Sequence, residues 1–187
     1  YMVNDMPEDV KTGKADATVA DASGEYADGL TAEDVKNAVK NIDADLSADA
    51  KVVGNTLDNA AERAQTALDE KKIQVPKGDG AVLLVQTYLE ITPTGTAVNG
   101  ATKTMELDIK PKYNLIATSA GNVNDLNDSN SVILEKGNDL TVSHPTNVTV
   151  PVPTSFAAEG ATVYIRHNAT NDKIYFYQSI VKDGKIT

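Results

Sequence analysis

Alternation of apolar and polar residues in the last third of the chain is the feature that most constrains its fold. Valine occupies every second position from 148 to 152, and the aromatic segments ATVYIRH (161–167) and KIYFYQS (173–179) follow. A period of two residues places successive side chains on opposite faces of a β-strand. The pattern therefore predicts an antiparallel β module and not an enzyme core.

Composition excludes several classes of function. The chain has 187 residues and a formal net charge of -10, and it contains no run of Lys or Arg. Such a surface repels phosphate backbones, so we expect no nucleic-acid partner. The absence of cysteine excludes disulfides and cysteine-ligated metals. Because no apolar run is long enough to cross a bilayer, we expect no membrane span in this chain.

The hydrophobic period divides the chain into three segments. Residues 1–30 show no apolar period, and we expect a flexible or irregular lead-in there. Residues 31–75 show the spacing of amphipathic helices. The segment VPKGDG (75–80) marks a boundary because its proline ends a helix and its glycines suit a turn. Residues 76–187 then read as an antiparallel β-sandwich, Ig-like or related, so the predicted class is α+β with an N-terminal helical segment.

Two helices are predicted in the helical segment. Thr31 and Asp34 form a candidate N-terminal cap, and apolar residues then recur at three- and four-residue spacing over 32–46. A second amphipathic helix is predicted over 56–72. Its apolar face consists mostly of alanine, so it packs closely against another surface but buries little area.

The strands of the sandwich are short and separated by turn residues. Their predicted positions are near 82–91, 104–110, 112–118, 131–135, 139–143, 147–152, 161–167 and 173–181. Proline cannot donate to a ladder, so Pro151 and Pro153 predict that their strand lies at an edge or ends there. Asp183 and Gly184 predict a two-residue hairpin turn. Only three residues follow this turn, and we expect the sandwich to be truncated at its last strand.

The sequence contains no recognisable catalytic or metal-binding pattern. It lacks the nucleophile elbow, the phosphate-binding glycine loop, the HExxH zinc motif and the dinucleotide fingerprint. We therefore predict no catalytic residue, no cofactor and no enzymatic activity. His144 and His167 are interpreted as polar surface residues at strand ends. The loop 122–130 is rich in oxygen ligands, but Asn130 stands where a calcium loop needs glycine and Glu135 comes one residue early, so we predict no metal there.

Three tyrosines and one arginine on the last two aromatic strands form a candidate ligand platform: Tyr164, Tyr175, Tyr177 and Arg166. In one pairing register all four share the outer face, where the rings are able to stack on sugars. In the other register the tyrosines of the two strands fall on opposite faces, and the platform is lost. The sequence leaves both registers open, and tyrosine is in any case a favourable cross-strand residue.

The segments VTVPVP, ATVYIRH and KIYFYQSIVKDGKIT carry a family resemblance. With them, residues 82–187 resemble the C-terminal β-sandwich modules of large secreted or wall-attached surface proteins of Gram-positive bacteria, of the gut Firmicutes type. The further aromatic strand that ends such modules has no counterpart here. The resemblance brings no catalytic residue with it.

The resemblance implies a location and a class of function. It implies an extracellular or cell-wall-attached protein and a non-enzymatic structural or adhesion role. The implied partners are other domains of the same surface protein, with glycans or host surface proteins as further partners. The alternative function is a carbohydrate-binding module that uses the outward tyrosines of the C-terminal hairpin.

Overall fold

The computed structural model describes Pro7 and residues 9–187, and this part of the chain contains three α-helices, one short 3₁₀ helix and ten β-strands. In chain order the helices and strands are β1 (Val10–Lys14), β2 (Thr18–Val19), α1 (Ala32–Val39), β3 (Asp43–Ala44), α2 (Ser47–Thr56), α3 (Ala60–Glu70), β4 (Ala81–Asn99), β5 (Thr102–Ser119), β6 (Val132–Asp139), β7 (Val148–Pro151), β8 (Thr162–Asn168), β9 (Ile174–Ile180) and β10 (Lys185–Ile186). The protein is a mixed α/β fold with open sheets.

The chain divides into two compact units that are interleaved along the sequence. Of the described residues, the first unit comprises Pro7, residues 9–16, Asp45–Leu89 and Lys110–Thr146. The second comprises Ala17–Ala44, Glu90–Ile109 and Asn147–Thr187. These units differ from the serial segments that the hydrophobic period predicts. The difference arises because the period reports local structure and not which strands pair.

In the first unit, two helices pack on a sheet through small side chains. Strand β4 lies between β1 and β5, and β5 pairs with β6. The beginning of β4 is buried on both faces from Val82 to Val85, as a central strand requires. Ala50 of α2 and Ala60 of α3 belong to the same buried cluster as Leu83 of β4. Alanine allows these helices to approach the sheet closely.

The helices differ from the prediction in number and in where the first one ends. The hydroxyl of Thr31 accepts a hydrogen bond from the Asp34 N–H at 3.2 Å, and the Asp34 carboxylate accepts one from the Thr31 N–H at 3.0 Å. This reciprocal cap starts α1 at the predicted position, but α1 ends at Val39 because residues 43 and 44 pair with β7 as a strand. The predicted helix over 56–72 corresponds to α3, and α2 precedes it as a separate helix.

The lead-in that we expected to be irregular runs along the edge of β4 instead. Strand β1 pairs with β4 in parallel, with Val10 opposite Leu83, and β2 continues the parallel pairing. The sheet is therefore not purely antiparallel, contrary to the prediction. The sequence does not predict these two strands, because they are only five and two residues long and show no resolvable period. Residues 1–6 and residue 8 of the predicted lead-in lie outside the described residues.

After β2, in the second unit, the chain continues alongside the later part of β4. The Ser23 N–H donates to the Pro93 carbonyl at 3.0 Å, and the Thr96 N–H donates to the Glu25 carbonyl at 2.9 Å. Gly24 is required between them. It has a φ of +81°, and a Cβ built on it would lie 1.9 Å from the Thr94 carbonyl oxygen.

The rest of the second unit contains a small sheet and a hairpin. Strand β7 pairs antiparallel with β10 and with β3. It ends at Pro151, as the proline predicts. Asp183 and Gly184 form the predicted tight turn, with φ values of 54° and 73°, between Lys182 and Lys185, which bond each other. Strands β8 and β9 form a separate two-stranded sheet.

Two predictions about strands are wrong. The separate strands predicted near 104–110 and 112–118 are one continuous strand, β5. Residues 140–146 follow β6 as a loop, where the sequence predicts a strand over 139–143. Hydrogen bonds from this loop to α2, described below, take the place of a ladder. Among the described residues, no helix has the length and apolar character needed to cross a bilayer.

Candidate functional site

The β8–β9 hairpin carries the candidate ligand residues. β-Branched and aromatic residues dominate both strands, which favours extended structure. The connecting turn is closed by a 2.9 Å hydrogen bond from the Ala169 N–H to the Lys173 carbonyl. Within it, Asp172 adopts a positive φ of 63°, and the Asn171 side chain accepts from the Lys173 N–H at 3.2 Å. Asparagine and aspartate tolerate such turn conformations.

The register separates the three tyrosines. Tyr164 lies opposite Gln178, and Arg166 lies opposite Phe176. Tyr175 and Tyr177 lie opposite His167 and Ile165. Since directly opposed residues share a face, Tyr164 and Arg166 are on one face and the other two tyrosines are on the other. The structure thus adopts the second register, and the single platform of three tyrosines and Arg166 is not formed.

We define the outer face of the hairpin by the side chains that share a face with Tyr164: Thr162, Tyr164, Arg166, Asn168, Ile174, Phe176, Gln178 and Ile180. The large apolar residues on this face are unusually exposed: Tyr164 78%, Phe176 76%, Ile180 60% and Ile174 46%. At about 200 Å² for an aromatic side chain, Tyr164 and Phe176 together present about 300 Å² to solvent. This area alone approaches the size of the largest apolar patch on a typical monomer, and such patches are often functional.

The inner face, which carries Tyr175 and Tyr177, is divided between core and solvent. At one end Val163 is buried in a cluster with Val152, Val181 and Ile186 of the same unit, and Ile165 packs against this cluster. At the other end three rings follow one another. The centroids of His167 and Tyr175 are 6.0 Å apart with a 32° angle between the rings, and those of Tyr175 and Tyr177 are 6.4 Å apart with an angle of 21°.

An open cleft of about 240 Å³ lies at the turn end of the hairpin. Its lining residues are Arg166, Asn168, Ala169, Asp172, Lys173 and Ile174. Two cationic side chains and one carboxylate line the cleft, and one of the cations, Arg166, lies directly opposite the exposed Phe176 in the register. The cleft offers hydrogen-bond donors next to an aromatic surface, a combination that suits polar ligands with C–H faces.

A second polar cluster, in the first unit, involves Asp49 in the first turn of α2. Its side chain is only 2% exposed. Its Oδ1 accepts hydrogen bonds from the Ser143 N–H and hydroxyl, both at 3.0 Å, and lies 2.8 Å from His144 Nδ1. Its Oδ2 is buried and has no hydrogen-bond partner. The cluster anchors the loop after β6 to the amino end of α2, where a carboxylate is favourable.

This cluster has the residue types of a hydrolase triad but not the geometry. Ser143 and Asp49 both approach the same ring nitrogen of His144, at 3.3 and 2.8 Å. A relay needs serine and aspartate on opposite nitrogens of the imidazole. The sequence predicts a surface position for His144 but not its contact with Asp49. The spacing of Leu46, Asp49, Ala50 and Val53 was an available signal, since it places Asp49 on an apolar helix face.

The polar loop 122–130 is organised by its own side chains. Asn127 Oδ1 accepts from the Ser129 N–H at 2.9 Å, and Asn130 Oδ1 accepts from the Asn127 N–H at 2.9 Å. Asn130 Nδ2 donates to the Asp125 carbonyl at 2.7 Å. These groups act as turn-forming residues. Within Pro7 and residues 9–187, no three His, Cys, Asp or Glu side chains are grouped as a metal site.

Comparison with protein-family models, with curated proteins and with solved structures finds no match to this chain.

Proposed function

We propose that this chain is a non-enzymatic structural or adhesion module of an extracellular, wall-attached or secreted bacterial surface protein, and that the outer face of the β8–β9 hairpin is its contact surface. The exposure of Tyr164, Phe176, Ile174 and Ile180 on that one face carries the proposal. Folding normally buries side chains of this size, because each contributes about 1.5–3 kcal/mol when buried. Their exposure on a regular strand pair is best accounted for by a partner that covers them.

Further support comes from the packing of the second unit. Val152, which follows β7, and Ile186 of β10 share a buried cluster with Val163 of β8. Side chains of two strand pairs thus meet in one layer, which is the packing principle of a sandwich. The proposal therefore includes the finer fold expected from the resemblance, an Ig-like or related β-sandwich, for the strands of the second unit.

The adhesion role is tested by binding of the purified chain to two immobilised probes, gastric mucin and bacterial peptidoglycan. Binding to at least one probe is expected, with a loss of tenfold or more in Phe176→Ser. Ile133→Ser is the matched control, because Ile133 is a similarly exposed apolar residue on a strand of the first unit. Absence of binding to both probes, or an equal loss in the control, contradicts the proposal.

A carbohydrate-binding module is the second candidate function. The near-parallel rings of Tyr175 and Tyr177 favour it, because the C–H face of a pyranose stacks on such rings. The separation of the tyrosines provides a sharp control. On a glycan array, Tyr175→Ala should abolish binding and Tyr164→Ala, on the outer face, should leave it unchanged. Silence across the array, or equal effects of the two variants, contradicts this candidate.

A further inference from the structure

The free edge of β9 lacks the features that normally protect a strand edge. Strands β8 and β9 form a two-stranded sheet, and no third strand pairs with β9 in the described part of the chain. The sequence of β9, IYFYQSI, contains no charged residue, proline or glycine, and its register with β8 is continuous. Natural edges usually carry lysine, proline or a bulge that prevents pairing. An edge without them is a template for another strand.

The ladder determines which main-chain groups of β9 point away from β8. At the two ends of the hairpin, Val181 N–H donates to Ala161 O and Ala169 N–H donates to Lys173 O, both at 2.9 Å. Bonded and non-bonded pairs alternate along antiparallel strands. The residues whose N–H and C=O groups point outward are therefore Ile174, Phe176, Gln178 and Ile180.

We propose that this edge pairs with β9 of a second copy of the chain, in antiparallel orientation about a two-fold axis at Tyr177. The inference rests on the proposed function, because it takes the same hairpin as a contact surface. It concerns the edge of the hairpin, whereas the proposed function concerns its outer face. The product is a continuous four-stranded sheet across the two copies.

The sequence of β9 is compatible with itself in this register. A two-fold axis at Tyr177 pairs all seven residues of the strand, and each outward-bonding residue meets another of the same set. Ile174 lies opposite the second copy's Ile180, and Phe176 lies opposite its Gln178. The pair of isoleucines and the pair of Tyr177 rings at the axis are favourable cross-strand pairs, and no like charges face each other.

Charge beyond the strand ends favours the same register. Lys182 follows β9, and Asp172 precedes it. The two-fold axis brings Asp172 of one copy level with Lys182 of the other, and the symmetry repeats this opposite-charge pair.

The net charge of -10 on each copy opposes association. We therefore expect the dimer fraction to rise as salt increases from about 20 to about 150 mM.

Cysteine cross-linking tests the pairing, since the chain has no cysteine of its own. In the proposed dimer, position 177 faces itself as a non-bonded pair, with Cα atoms about 4.5 Å apart. This separation suits a disulfide. Tyr177→Cys should therefore form a disulfide-linked dimer in oxidised glutathione at least tenfold faster than Tyr164→Cys. Tyr164 is a matched control, because in the dimer it lies three strand spacings across and two residues along the sheet from its copy, a separation of about 16 Å. Equal rates, or faster linkage through position 164, would overturn the inference.

The oligomeric state gives an independent measurement by light scattering after gel filtration. The wild-type chain is expected to be dimeric, and Gln178→Pro is expected to be monomeric. The Gln178 N–H points outward, so proline there removes no bond to β8. Thr162→Pro is the matched control on the β8 edge and should remain dimeric. A wild-type chain that stays monomeric up to about 0.5 mM overturns the inference. If Gln178→Pro fails to fold by circular dichroism, the two cysteine variants decide alone.

The outcomes separate this inference from the proposed function. A monomeric chain whose binding to mucin or peptidoglycan is lost in Phe176→Ser removes the inference and leaves the proposed function standing. A dimer cross-linked through position 177 that binds neither probe has the opposite meaning. It supports edge pairing and removes the adhesion role of the outer face.

Discussion

Replacing Asp49 with alanine is expected to lower the free energy of unfolding by about 2 kcal/mol. Three hydrogen bonds from Ser143 and His144 converge on its Oδ1. Both donor residues are exposed, so their N–H and O–H groups form hydrogen bonds to water when the carboxylate is removed. Each bond is therefore worth only about 1 kcal/mol net.

One contribution to the free energy of unfolding opposes these three hydrogen bonds. The Oδ2 atom of Asp49 is buried without a partner, and its removal relieves about 1 kcal/mol of desolvation. The difference leaves a net loss of about 2 kcal/mol, which corresponds to a melting temperature lower by about 4–8 °C for a chain of this size. The small net value reflects a buried carboxylate that satisfies only one of its two oxygens.

Urea unfolding followed by circular dichroism measures the change. Asp58→Ala, an exposed aspartate just after α2, is the control and should alter stability by less than about 0.5 kcal/mol. A double-mutant cycle with His144→Ala should give a coupling energy of about 1 kcal/mol. The reasoning is refuted if Asp49→Ala unfolds at the wild-type urea concentration, or if the cycle shows no coupling.

Three further outcomes are expected. Hydrogen bonds from Ser47 lower the pKa of Asp45, so Ser47→Ala should raise that pKa toward its ordinary value in a carbon-13 NMR titration. Because the folded-state pKa is the lower one, this contribution to stability is present above the unfolded-state pKa and is lost as pH falls through the folded-state pKa. Thr31→Ala should cost about 1 kcal/mol in urea unfolding, by removing the cap on the Asp34 N–H. Leu68→Ala should cost about 2–5 kcal/mol, because this fully buried side chain leaves a cavity under α3, and an unchanged melting temperature would contradict its place in the core.

Features that depend on neighbouring residues could be predicted from the sequence. The cap at Thr31 joins residues three apart, and the turn at Asp183–Gly184 closes within four residues. The alternation of half-buried and exposed residues from Met105 to Ile109 follows from the pleat of a single strand. In each case the interaction that determines the structure lies within a short stretch of chain, so composition and spacing are sufficient.

Features that depend on distant pairing were decided only by the tertiary structure. The parallel addition of β1 and β2 to β4 joins segments about seventy residues apart, and Asp49 meets His144 across 95 positions. The register of β8 and β9 was equally undetermined, although it alone decides whether Tyr164 shares a face with Tyr175. A shift of one residue exchanges the two faces, and both faces of this hairpin carry aromatic residues. The apolar pattern therefore could not distinguish the registers, whereas burial of Val181 in the same cluster as Val163 places the odd-numbered residues of β9 on the inner face and so selects one of them.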